Sequence, residues 1–233
     1  MRKTVMFVTM VSIVWGLGAL AGVGQAGAAG GTITGTVKFA GDPPPARQIS
    51  VTKDLQACGK EPIYDQSLVV DPATKGVKWA VVKVEGAKGK WNGKEGTIDQ
   101  RVCRFRPYVL VTPPGKITVL NSDGVLHNFR TTGAKNPSIN RAQPGFRKRM
   151  DVEIRQPEIV KVTCDAHPWM LGWVVVSEHP YVAVTDEKGN FTIENVPPGS
   201  YTLEVWQETL GTATPKVTVK AGEKVSAGFT LKQ

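Results

Sequence analysis

The strongest limit on how this chain can fold is its apolar spacing. Apolar residues recur at every second position in short runs, and no segment keeps a helical stripe for three turns. Residues 32–39 (TITGTVKF) place Ile33, Val37 and Phe39 on one face. Further β-rich runs follow at 78–84, 116–120, 150–155, 159–163, 173–176, 181–185, 191–194, 201–206, 216–219 and 228–231, bounded by Gly, Pro and Asn. Asp186-Glu187-Lys188-Gly189-Asn190 and Val196-Pro197-Pro198-Gly199-Ser200 supply tight turns in a meander from residue 181 to residue 206. The expectation is an all-β protein built as one sandwich or two, and 233 residues suffice for either.

The start of the chain reads as an export signal. Arg2 and Lys3 precede an uncharged apolar run over residues 5–23, and Ala26-Gly27-Ala28 offers a small-residue cleavage site. The expectation is therefore an exported, periplasmic protein with a signal peptide over 1–28 and no membrane span once the signal is removed. The formal net charge of +9 suits a nucleic acid, a membrane surface or an acidic protein partner, and export argues against nucleic acid. The basic excess is concentrated between Asn128 and Arg149, where Arg130, Lys135, Arg141, Arg147, Lys148 and Arg149 meet no acidic residue.

Three cysteines in an exported chain leave at least one sulfur outside a disulfide. Cys58 lies in a polar loop and Cys103 at the start of a β-rich stretch, so these two are assigned to a disulfide. Cys164 stands in Cys164-Asp165-Ala166-His167-Pro168-Trp169-Met170, where Cys-x2-His-x2-Met brings a thiolate, an imidazole and a thioether into one loop. A blue-copper site takes one thiolate, two imidazoles and a weak axial thioether. The second imidazole must come from elsewhere. His127, beyond the run 116–120, is the better placed of the two remaining histidines, and His179 falls toward the opposite end of the sandwich. Three histidines are too few for a multicopper oxidase or a His-rich zinc hydrolase.

Asn121-Ser122-Asp123-Gly124 ahead of His127-Asn128, followed by Cys164-x2-His167-Pro168-x-Met170-x-Gly172, resembles the cupredoxins. The short ligand loop is most similar to that of amicyanin. The resemblance spans about residues 97–179. It implies His127, Cys164 and His167 as equatorial ligands, Met170 as the axial one, and a backbone N–H of Asn128 donated to the thiolate. The flanks at 31–41, 184–206 and 217–232 resemble instead a carboxypeptidase-regulatory-like, transthyretin-type β-sandwich, similar also to a rhamnogalacturonan lyase domain. Together these resemblances imply a Greek-key cupredoxin sandwich at 97–179, inserted in or packed against a second small sandwich formed by 29–96 and 180–233.

The function expected on these grounds is one-electron transfer through one type 1 copper ion, and not enzymatic catalysis. No Ser-His-Asp set, paired-carboxylate motif or phosphate loop stands out in the sequence. An exposed edge of His167, rimmed by Pro168 and Trp169, is the expected exit for the electron. Arg147, Lys148 and Arg149 would steer an acidic partner such as a c-type cytochrome or an oxidase. Two other classes fit the same residues: a copper delivery or storage module, and a cell-envelope module that binds polysaccharide or protein.

Overall fold

The computed structural model describes residues 29–93 and 95–232, and the signal peptide expected over 1–28 lies outside the described residues. Apart from one helical turn, Leu55–Cys58, the regular elements described are strands. They form two sandwiches.

The flanking sandwich is built from both ends of the chain. Its smaller sheet runs in the order Asn190–Val196, Gly31–Phe39, Lys224–Leu231. Gly31–Phe39 lies parallel to the C-terminal strand, with Ile33 opposite Val225 and Phe39 opposite Leu231. The facing sheet pairs Val81–Val84 with Val182–Val184 and Gly199–Gln207, and Gly199–Gln207 also takes Gly211–Ala213 and Lys216–Val219. Ile33, Val37, Val82, Val84, Phe191, Leu203 and Val219 fill its core. Gly189 turns the chain between two of these strands with φ of 77°, a conformation that glycine adopts without a Cβ penalty.

The central sandwich occupies the interval between. One sheet orders Asn140–Gln143, His127–Thr132, Ile159–Thr163, Leu171–Val176 and Val109–Thr112, and the other Arg149–Ile154, Gly115–Asn121, Gly96–Gln100 and Phe105–Arg106. Arg149–Ile154 alternates exposed and buried at every step, as a strand with one face on a core must. Ile98, Ile117, Phe129, Val152, Val162 and Val174 form that core.

The two sandwiches meet along a third apolar cluster of Val81, Tyr108, Val109 and Val175. Trp173 and Trp206 cross it edge to face at 4.9 Å, a contact worth about 0.5–1.5 kcal/mol beyond its buried area. The Tyr108 hydroxyl donates to Glu208 at the same seam. Burial pushes the Glu208 carboxyl above its ordinary pKa, and the hydrogen bond does not reverse the shift.

Four features differ from the sequence reading. The stretch from 181 to 206 is not a meander, because Asn190–Val196 pairs with Gly31–Phe39 in one sheet while Val182–Val184 and Gly199–Gln207 flank Val81–Val84 in the other. Cys103 does not begin a strand. It lies in a bend where Val102 and Cys103 both have positive φ, 52° and 48°. The stretch 29–96 is not wholly part of the flanking sandwich either. Ala57 and Cys58, in the turn Leu55–Cys58, pack into the central core, because Cys58 is bonded to Cys103. Finally, His127–Thr132 and Asn140–Gln143 are strands that apolar spacing does not reveal. Their buried positions include the polar residues His127, Thr131 and Gln143.

Phe129 is fully buried beside the ring of Phe105, in the strand that His127 opens. Phe129→Ala should lower unfolding free energy by about 3–5 kcal/mol in a denaturant titration, from lost transfer energy and the cavity left behind.

Candidate metal centre

Strand pairing brings the motif residues together. His127 opens His127–Thr132, whose Thr131 pairs with Val162 of Ile159–Thr163. Cys164 follows the end of Ile159–Thr163, so its side chain sits beside His127. The chain turns back at once, with Thr163 opposite Leu171, and the short return carries His167 and Met170. The Met170 N–H donates to the His167 carbonyl at 2.9 Å and keeps that turn tight.

Three donor atoms converge. The Nδ1 atoms of His127 and His167 are 3.1 Å apart, and the Cys164 Sγ lies 3.9 and 3.8 Å from them. His127 and His167 are 0% exposed, Cys164 2% and Met170 1%, so the site is closed to water. Met170 belongs to the same buried cluster as Cys164. The Asn128 N–H donates to the sulfur at 3.2 Å. His179 stands apart, hydrogen-bonded within its own segment through Ser177 and Tyr181.

The outer face of each imidazole is also fixed. His127 Nε2 lies 2.9 Å from the Asp123 carboxylate, and His167 Nε2 lies 2.8 Å from that of Asp54. Each carboxylate takes the Nε2–H and so turns the Nδ1 lone pair inward, the usual support for a metal-ligating histidine. Asp123 accepts in addition the backbone N–H groups of Val102 at 2.6 Å and Cys103 at 2.9 Å. Those bonds hold the left-handed pair 102–103, a conformation that costs about 1–3 kcal/mol per residue. Burial disfavours the Asp123 charge, but the hydrogen bonds from His127, Cys103 and Val102 prevail and keep its pKa low.

The Cys58–Cys103 disulfide is packed behind both rings. Its sulfurs lie within 4.8 Å of a ring nitrogen of His167, and the Cys103 sulfur is equally near His127 and Asp123. Asp54 is reached through the same bridge, since its carbonyl accepts the Cys58 N–H at 2.8 Å.

Charges in the site are coupled. Burial opposes a cation at His127, but Asp123 and the Cys164 sulfur outweigh it and lift the pKa to about 9. Burial likewise opposes the Cys164 thiolate, while His127 and the backbone N–H groups of Asn128 and His167 pull its pKa down. For His167, burial outweighs Asp54, and the charge on His127 adds to it, so the pKa falls below the ordinary value. Two imidazole nitrogens and a thiolate, dry and backed by a thioether in the same core, form a donor set for a soft or borderline transition metal.

His167 presents no open edge, because Asp54 covers its Nε2 and the Trp169 ring lies 5.2 Å from its own. Pro168 is exposed, whereas Trp169 is half-buried and donates its Nε1–H to the Cys103 carbonyl. Arg147, Lys148 and Arg149 are exposed at the His127 end, where Gly145 is packed against the backbone of Gly124 and Val125. Sequence reasoning missed the parts played by Asp54 and Asp123. Asp123 stands inside the motif ahead of His127 and could have been suspected from that position. Asp54 is 113 residues from His167 and carries no local signal.

Residues 174–232 match the family described as carboxypeptidase regulatory-like domain. No curated protein matches the chain. Similar solved structures include a purple cupredoxin from Nitrosopumilus maritimus, 24% identical, over 36% of this chain and 100% of that one, TM-score 0.31. A copper-containing nitrite reductase from Thermus scotoductus is 24% identical over 40% of this chain and 24% of its own, TM-score 0.32. Amicyanin from Paracoccus versutus is 12% identical over 41% of this chain and 97% of its own, TM-score 0.32.

His127 holds a proton up to about pH 9 beside a Cys164 thiol whose pKa is lowered, and a bound metal must displace that proton. Affinity of the metal-free protein for Co(II) should therefore rise about tenfold per pH unit below pH 9 and level off above it. Titration followed by thiolate–cobalt absorption measures this, and a flat profile from pH 7 to 9 would contradict a proton held at His127.

Proposed function

We propose that this protein is an exported one-electron carrier holding a single type 1 copper ion, and that it is not an enzyme. The observation that carries the reading is the convergence of His127 Nδ1, His167 Nδ1 and Cys164 Sγ in a buried pocket, with each imidazole tied back by a carboxylate. Met170, buried in the same cluster as Cys164, would supply a thioether to that ion. Bound there, copper supplies a one-electron couple.

The chain's own residues supply rigidity and tuning. Asp123 and Asp54 stop the rings from rotating, so little reorganisation accompanies a change of charge in the pocket. The Asn128 N–H withdraws electron density from the sulfur and favours the more electron-rich state of the site. A closed pocket also argues for electron exchange over ion hand-over, which needs a ligand that a recipient protein can reach.

Export to the periplasm is part of the same proposal. The basic and then apolar start of the chain supports it, as does the Cys58–Cys103 bond, since disulfides persist in oxidising compartments. For docking, the Leu126–Phe146 face replaces the His167 rim. Leu126 is 49% and Phe146 86% exposed, on loops that touch beside the metal pocket, and Arg147, Lys148 and Arg149 follow directly. An apolar centre with a basic rim suits an acidic redox protein such as a c-type cytochrome.

Copper-loaded protein should show the intense blue thiolate-to-copper charge-transfer colour and the matching EPR signature. Cys164→Ser should abolish both, while His179→Ala leaves them unchanged. A colourless loaded protein, or a blue Cys164→Ser variant, would overturn the assignment. Neutralising Arg147, Lys148 and Arg149 together should slow reduction by an acidic cytochrome about tenfold at low salt and much less at high salt. Equal rates in stopped-flow mixing would remove the steering role.

A further inference from the structure

A cavity of about 950 Å³ opens between the 47–66 segment, the seam and the return loop after His167. That volume is in the range of sites for small organic ligands. Trp79, Tyr108 and Trp169 line it, with the first two rings 5.8 Å apart. Around Trp169 the wall continues through Phe105, Pro107 and Leu171, none of which offers a side-chain hydrogen bond. Trp79 is held at φ of 64°. A bulky residue is rarely found there, and such strain collects at sites that bind something.

The polar part of the wall is out of balance. Arg104 and Arg106 both line the cavity, and both pair with the single carboxylate of Glu61, at 2.9 Å in the case of Arg106. One negative charge therefore serves two guanidiniums. The Nε atoms of both arginines are buried and have no hydrogen-bond partner. A buried unpaired donor costs about 1–3 kcal/mol, more when it is charged. Arg47 adds a cation at the mouth but is matched by Asp65. The surplus is local to Arg104 and Arg106.

We infer that this cavity binds a small aromatic carboxylate, its anionic group taken by Arg104 and Arg106 and its ring held among Trp79, Tyr108 and Trp169. A carboxylate accepts two parallel N–H bonds from a guanidinium and would supply a second negative charge to the pair that now shares Glu61. The ring follows from Trp79, Tyr108 and Trp169, whose faces it would meet, while Gln48, Ser50 and Thr52 place the polar side chains on the 47–66 segment. The inference is independent of the copper reading, so binding is to be measured on loaded and metal-free protein alike.

Isothermal titration of the full chain with benzoate tests it. Saturable one-to-one binding is expected, with benzyl alcohol and glucuronate each binding at least tenfold more weakly. Arg104→Gln with Arg106→Gln should weaken benzoate at least tenfold. Glu61→Gln removes the internal competitor and should tighten benzoate severalfold, an outcome that a purely structural role for Glu61 would not produce. Absence of saturable heat, equal binding of benzyl alcohol or glucuronate, or unchanged or weaker binding by Glu61→Gln would each overturn the inference.

Discussion

Everything at the centre of this molecule depends on two hydrogen bonds that face away from it. Asp123 and Asp54 take the outer nitrogens of His127 and His167, and only that leaves both inner nitrogens beside the Cys164 sulfur. Free imidazoles so close together would turn apart or trap a proton between them. The two carboxylates come from unrelated parts of the chain. Asp123 sits at the end of a core strand, but Asp54 is in a loop with little structure of its own. The Cys58–Cys103 bond compensates, because it fixes the Asp54 turn to the same bend that Asp123 holds. Across a sequence separation of 45 residues, such a link is worth about 4 kcal/mol in the chain-entropy model.

The composite architecture explains why one chain can carry both sandwiches without a flexible linker. The first described strand and the last are hydrogen-bonded in one sheet, so the central sandwich is an insertion between the two ends of the flanking one. At the seam, neighbouring residues serve different cores: Val81 packs at the interface and Val82 in the flanking core. Val175 and Val174 divide in the same way between the interface and the central core. Alternation along a strand lets both of its faces be apolar, so one face fills a core and the other the seam between the two sandwiches.

Much of this was legible in the sequence. Period-two runs gave the all-β class, and Cys164-x2-His167-x2-Met170 was local enough to read directly. The Cys58–Cys103 pairing followed from setting Cys164 aside. What escaped was whatever depends on polar residues being buried. His127–Thr132 looks like a loop until Gln143, Thr131 and His127 are seen inside, satisfied by their neighbours. The expected open edge of His167 failed for a related reason. Its cover is one carboxylate on a distant loop, and no pattern of spacing encodes that contact. The flanking strands were located but their pairing was not: Asn190–Val196 crosses to Gly31–Phe39, and Val182–Val184 and Gly199–Gln207 flank Val81–Val84 in the facing sheet, partners that tight turns between 181 and 206 do not announce.

Closing His167 changes how the pocket meets its surroundings. On one side the Trp169 ring lies 5.2 Å from His167 and forms part of the cavity wall, and its Nε1–H reaches the carbonyl of Cys103. On the other side Leu126 adjoins His127 and is open to solvent. The first face is recessed and lined by rings and guanidiniums, which suits a small guest. The second exposes Leu126 and Phe146 beside Arg147, Lys148 and Arg149, the face proposed for a protein partner. Trp169 touches both the cavity and the His167 ring, and the disulfide behind it touches both histidines. Trp169 is therefore the wall between the cavity and the ring that Asp54 and the disulfide hold.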